Sequence, residues 1–177
     1  MPIIQPPDLK IWQGDVFAGV PWSIVKFLHF VQPEGNNQRF ISITPPLPGN
    51  RSRLVTHAGC DLGMLLSHEC VVDKGGHAPL TFARILPITS YGEEGREIIR
   101  QGANYQTFHL PAAEGLIDES YVDFRFVAAI NPQLLEQFMR VASLTSEGRD
   151  SLRLQLILYL TRHEPLVSGP TQLELPQ

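Results

Sequence analysis

From Ile11 to Val127 the chain alternates short β-prone segments with Pro- and Gly-rich breaks, and only after that does its character change. Residues 11–20, 23–31 (SIVKFLHFV), 39–44 (RFISIT), 53–57, 64–67, 80–88 (LTFARILPI), 105–110 and 121–127 each read as a strand. RFISIT alternates with period two and runs into Pro45-Pro46-Leu47-Pro48-Gly49-Asn50, a strong stop. Lys74-Gly75-Gly76-His77 reads as the turn between two of these strands. Asn131-Pro132 then opens a helical stretch, since Asn caps free N–H groups and Pro suits the first helical position. The pattern predicts a helix from Pro132 to about Val141, with Leu134, Leu135, Phe138 and Met139 on one face. Thr145 or Ser146 caps a longer helix reaching about Arg162, whose apolar residues (Leu152, Leu154, Leu156, Ile157 and beyond) cover more than one stripe. Such a helix is buried on more than one side or lies in a subunit interface. Strands followed by helices predict a mainly β fold: a small, strongly curved antiparallel sheet or barrel packed by two C-terminal helices, in one domain over residues 1–163 with a tail at 164–177.

The composition fits a folded soluble chain. Of 177 residues, 43% are hydrophobic and 18% charged. No apolar run reaches membrane-spanning length, and the first residues, MPIIQPPDLK, lack the basic-then-apolar order of a secretory signal, so a cytoplasmic location and no membrane partner are expected. The formal charge of −4 does not favour indiscriminate nucleic-acid binding, although Arg51 and Arg53 lie close together. Two cysteines, Cys60 and Cys70, are too few for a disulfide scaffold, and reduced thiols are expected.

Chemistry concentrates in residues 63–74, GMLLSHECVVDK. An apolar run, Met64-Leu65-Leu66, leads straight into Ser67-His68-Glu69-Cys70 and back to Val71-Val72. Polar groups left unpaired beside a core cost about 1–3 kcal/mol each. Either a site is built there or neighbours satisfy these groups. His68 can serve as acid or base because its ordinary pKa is near neutrality. His57-x-x-Cys60 with His68-x-Cys70 offers the ligand set of a structural zinc site, and a strand continuing through His68 and Cys70 would put both on one face. Cys70 could alternatively act as a nucleophile beside His68 or His77, against which Glu69 and Asp73 would raise its thiol pKa, or pack as a small hydrophobe.

The order of segments resembles the MazF/PemK-like toxin family. Gln13-Gly14-Asp15-Val16 looks like the Gly-Asp of that family's first strand. Met64-Leu65-Leu66-Ser67 sits where the family has an apolar strand ending in Ser. Leu86-Pro87-Ile88-Thr89-Ser90 is similar to the strand whose terminal Thr belongs to the active site, and residues 115–122, GLIDESYV, are similar to its Gly-Leu…Ser-Val segment. The resemblance implies an SH3-like barrel, a homodimer, an antitoxin or other protein partner, and metal-independent endoribonuclease activity on single-stranded RNA, with no cofactor. It implies Thr89 as a catalytic residue. His68, Ser67, Cys70 and Arg53 are the other candidates for the base, acid and cation that RNA cleavage needs, and Arg51 and Lys74 are candidates for substrate binding. Where the family has Arg-Pro before the Met64 strand, this chain has Gly59-Cys60-Asp61-Leu62-Gly63. The Ser-His-Glu-Cys string is foreign to the toxins and is similar to a Ser-His-Asp-Cys signature of uncharacterised bacterial proteins. The alternative to an enzyme is a non-catalytic interaction module on the same barrel that binds a protein or nucleic acid, or a zinc-stabilised domain.

Overall fold

The computed structural model describes residues 3–23, 29–34, 37–42, 58–73 and 78–162. Seven strands form one antiparallel sheet: β1 (Ile4–Gln5), β2 (Val16–Ser23), β5 (Ala58–Leu65), β6 (Leu80–Pro87), β7 (Thr107–Leu110), β8 (Ser120–Ile130) and β9 (Met139–Leu144). Their spatial order is β1-β9-β2-β5-β6-β8-β7, with β1 and β7 as the two ends. The fold is mainly antiparallel β with a C-terminal helix, as expected, but among the described residues the sheet does not close into a barrel. A separate hairpin pairs β3 (His29–Glu34) with β4 (Asn37–Ser42). The helices are α1 (Glu69–Asp73), α2 (Glu93–Arg100) and α3 (Ser146–Thr161).

Period two explains why both faces of the sheet are buried. Val16, Met64, Ala83 and Phe124 belong to one core, which Leu144 and Leu152 complete under α3. Phe17, Leu65, Phe82 and Ile130 point the other way into a second core, over which Val71, Val72, Leu135 and Phe138 pack. Successive residues of a strand face opposite sides, so each strand feeds both cores.

The C-terminal part departs from expectation in one place. Asn131 caps through its side chain, accepting from the Gln133 N–H, and Pro132 starts the turn. That turn is a 3-10 helix ending at Gln137, and the chain then becomes β9. Ala142 and Leu144 of β9 are fully buried between β1 and β2, and the strand begins at Met139, so the sheet takes the last residues of the helix expected from Pro132 to about Val141. The final helix forms as expected, with Thr145 Oγ1 capping the Gly148 N–H at 3.2 Å. No helix among the described residues is long and apolar enough to cross a membrane.

The loop before β2 clips these parts together. Gly14 adopts φ +92, and a Cβ there would come within 2.7 Å of Leu144 Cδ1, so only glycine fits. Its N–H donates to Leu65 O at 2.8 Å, and the Leu65 N–H donates to Asp15 O at 2.9 Å. The Asp15 side chain is fully buried and pairs with Arg140 of β9 at 2.9 Å. Arg140 also donates to Lys10 O at 2.6 Å and to Asp8 O. Removing one partner strands a buried charge, so Arg140→Met should lower the unfolding free energy by about 3–5 kcal/mol in urea titrations. The double variant D15N/R140M should recover part of that loss; equal midpoints for Arg140→Met and the parent chain would show the pair to be dispensable.

Candidate functional site

Strand β5 delivers Met64 and Leu65 to the two cores, and the chain then leaves the sheet in two steps. The Leu66 N–H donates to Thr81 O at 2.8 Å. Ser67 Oγ accepts from the Thr81 N–H at 2.8 Å, which satisfies the start of β6. The strand does not continue through His68 and Cys70. α1 begins at Glu69 because Val71 and Val72 find apolar contacts against the second core. His68 Nδ1 accepts from the Cys70 N–H at 3.3 Å, and Nε2 lies 3.3 Å from Glu69 Oε1. This pattern assigns the ring proton of the neutral form to Nε2, facing Glu69. Both ring nitrogens are thus engaged.

Helix α3 forms the opposite wall. Arg153 Nε donates to Gln13 Oε1 at 3.1 Å, Nη2 lies 3.5 Å from Glu69 Oε1, and Nη1 lies 3.1 Å from Asp150 Oδ1. Gln13 Nε2 donates to Leu66 O at 2.7 Å. Between α3 and the sheet opens a cleft of about 870 Å³. Gln13, Ser67, His68, Thr81 and Arg153 make its polar end. Leu66, Phe124 and Val127 line the sheet side, facing Leu156, Ile157 and Leu160 of α3. The Tyr159 ring lies against Phe124 with centroids 5.5 Å apart, which fixes the helix over the sheet.

Of the residues singled out in the sequence, Ser67 and His68 line this cleft. Cys70 is exposed in α1 and does not line it. Thr89 is elsewhere. The register Leu65↔Phe82 puts Ser67 at the start of β6, whereas Thr89 follows its last residue, Pro87. The two ends are on the order of 20 Å apart along the strand. Thr89 is exposed in a 3-10 turn there. Arg51, Arg53, His57 and Lys74 lie outside the described residues. In the alternative zinc set, Cys60 pairs with Pro21 far back on β5, about 17 Å along the strand from Leu65, while Cys70 lies in α1. Both thiols are free, and no group of three or more metal-holding side chains occurs among the described residues. Arg153 and Gln13 are the site residues that sequence reasoning missed. Arg153 carried a signal, as the one charged residue within the otherwise uncharged run from Leu152 to Leu160.

The Thr89 end of β6 carries a charge network. Arg100 of α2 grips Glu119 with two bonds, Nε to Oε1 at 2.8 Å and Nη2 to Oε2 at 2.9 Å. His109 Nε2 lies 2.9 Å from the same Oε1. Hydrogen bonding from Arg100, helped by His109, holds the Glu119 carboxyl down to about 2. A depressed carboxyl stabilises the fold at pH values above its unfolded pKa of about 4.3, and that contribution fades as pH falls toward about 2. Replacing Arg100 by Ala should therefore flatten the acid limb of a stability-versus-pH curve between those values. Identical limbs for the variant and the parent would contradict the assignment.

Compared with protein-family models, curated proteins and solved structures, the chain matches none.

Proposed function

We propose that this protein is an interaction module whose cleft under α3 takes an apolar group of a partner. The observation that carries the reading is the division of the cleft: hydrocarbon along most of its length, with polar groups gathered at one end and bonded to one another. A space of about 870 Å³ falls within the usual range for ligand sites. Apolar walls gain about 25 cal/mol per Å² when covered, whereas paired polar groups fix orientation without supplying a free base or nucleophile. Glu69 and Asp150 offset the Arg153 charge at the polar end, which disfavours a polyanion there.

The apolar dye 1-anilinonaphthalene-8-sulfonate should bind the cleft with enhanced fluorescence. Ile157 is 43% exposed, so Ile157→Asp should leave the melting temperature nearly unchanged. It should nevertheless weaken dye binding by about tenfold, because a carboxylate then meets the apolar wall. Equal dye affinity in the variant and the parent would sink the cleft as the binding site.

One observation favours the ribonuclease reading implied by the toxin resemblance. His68 Nε2 and Arg153 Nη2 approach the same Glu69 oxygen, at 3.3 and 3.5 Å, so an acid–base group and a cation sit side by side. On this reading Arg153 supplies the cation that the Arg-lacking segment before Met64 does not, and Thr89 has no part in the reaction. Purified protein incubated with a long single-stranded RNA in EDTA should then give discrete fragments, and His68→Ala or Arg153→Ala should abolish them. RNA left intact by the parent chain retires this reading and leaves the interaction module standing.

A further inference from the structure

The two end strands of the sheet are protected against further pairing. β1 has two residues and runs into Pro6 and Pro7; β7 has four and runs into Pro111. Brevity and proline are common devices for blunting an edge. A stretch of β8 lacks both. β7 covers β8 only from Ser120 to Asp123, and the last bond across is from the Phe124 N–H to Gln106 O at 3.0 Å. Ala83 pairs with Val127 while Arg84 pairs with Asp123, so Phe124, Arg125 and Phe126 bulge and β8 continues alone beyond β7. Residues 127–130, Val-Ala-Ala-Ile, pair with β6 on one side, and no described strand pairs with the other. Phe126 is 39% and Val127 55% exposed.

We infer that residues 127–130 of β8 are a docking edge for an extended peptide strand of a partner protein, which adds to the sheet and directs alternate apolar side chains into the cleft under α3. The inference rests on the cleft being a partner site and names the partner's form. Open backbone donors and acceptors along an edge are satisfied by a strand and not by a helix, which has no free backbone groups to offer. Val127 belongs both to the edge and to the cleft, so a strand laid beside it brings every second side chain toward Ile157 and Leu160 across the gap. Charge sets the rest of the partner's chemistry. The edge itself carries no charge; Arg125, which precedes it, is already paired with buried Asp123 at 2.6 Å, and exposed Arg162 follows the cleft wall at the end of α3. The occupant is apolar at alternate central positions and acidic at the end nearer Arg162.

The test uses the full chain, labelled with nitrogen-15, and the probe acetyl-Glu-Val-Thr-Val-Thr-Val-Glu-amide. Amide shifts should cluster at residues 125–130 and along the cleft face of α3. In an added strand only alternate residues of the probe bond to β8. N-methylation of one alternate set should therefore weaken binding by at least about tenfold, and N-methylation of the other set should not. Val127→Lys should weaken binding comparably at an unchanged melting temperature. Equal tolerance of both methylation patterns, or no shifts with the probe, overturns the strand inference. Shifts at residues 125–130 on diluting the protein alone would also overturn it, by showing a second copy on the edge. Dye binding in the cleft is read separately, so the strand inference can fail while the cleft reading survives.

Discussion

The buried pair between Asp15 and Arg140 is the constraint on which the other parts depend. Asp15 is fully inaccessible and the Arg140 side chain is 17% exposed; one lies in the loop before β2 and the other in β9, far apart in sequence. Burying a carboxylate is tolerable only with a cation and further donors at hand, and the Trp12 N–H at 3.0 Å is one such donor. Arg140 also donates to Lys10 O and Asp8 O, which ties the Pro-rich lead-in to β9. The same loop places Gly14 against Leu144 and joins its backbone to Leu65. Gln13, the neighbouring residue, then reaches Leu66 O and Arg153. One loop of four residues therefore sets the register of β2 against β5 and β9 and also positions the polar end of the cleft.

That coupling bears on what the cleft can do. A general base needs a lone pair free to accept a proton, but His68 Nδ1 already accepts from the Cys70 N–H. Ser67 Oγ is committed as an acceptor to the Thr81 N–H. Arg153 is held by Gln13, Glu69 and Asp150. Such mutual satisfaction rigidifies one end of the cleft and leaves the hydrocarbon walls as the part that gains most from a partner.

Much of the strand content was legible from β-branched and aromatic segments bounded by Pro and Gly, although strands buried on both faces need not alternate apolar with polar residues. The 80–88 segment forms β6 almost to the residue, whereas the 64–67 segment supplies only the last two residues of β5, which begins at Ala58, and Leu66 and Ser67 leave the sheet. Residues 132–141 misled because Leu134, Leu135, Phe138 and Met139 fit a helical stripe, yet Met139 is 66% exposed and Leu134 38%. The decisive fact there is tertiary: a gap between β1 and β2 that only an extended chain fills. His68 and Ser67 were found as cleft residues because polar side chains ending an apolar strand demand an explanation. Arg153 was overlooked because a single cation in a leucine-rich helix reads equally as a solvated position, and only the placement of Gln13 and Glu69 gives it partners.

The separation of Thr89 from His68 follows from β6 acting as a ruler. Antiparallel pairing with β5 fixes Thr81 beside Ser67, and the extended rise per residue then carries Pro87 and Thr89 to the far end of the sheet. No rearrangement of side chains can shorten that distance, since both ends of the strand are held by hydrogen bonds, to Ser67 at one end and from Ile88 to Glu119 at the other. Similar motifs in a similar order can thus mark strand ends without marking one site. What gathers at the far end instead is a carboxylate locked by an arginine and a histidine, an arrangement that pins α2 to the sheet. The two ends of β6 carry different physical tasks: ionic anchoring beside Thr89 and apolar contact beside Ser67.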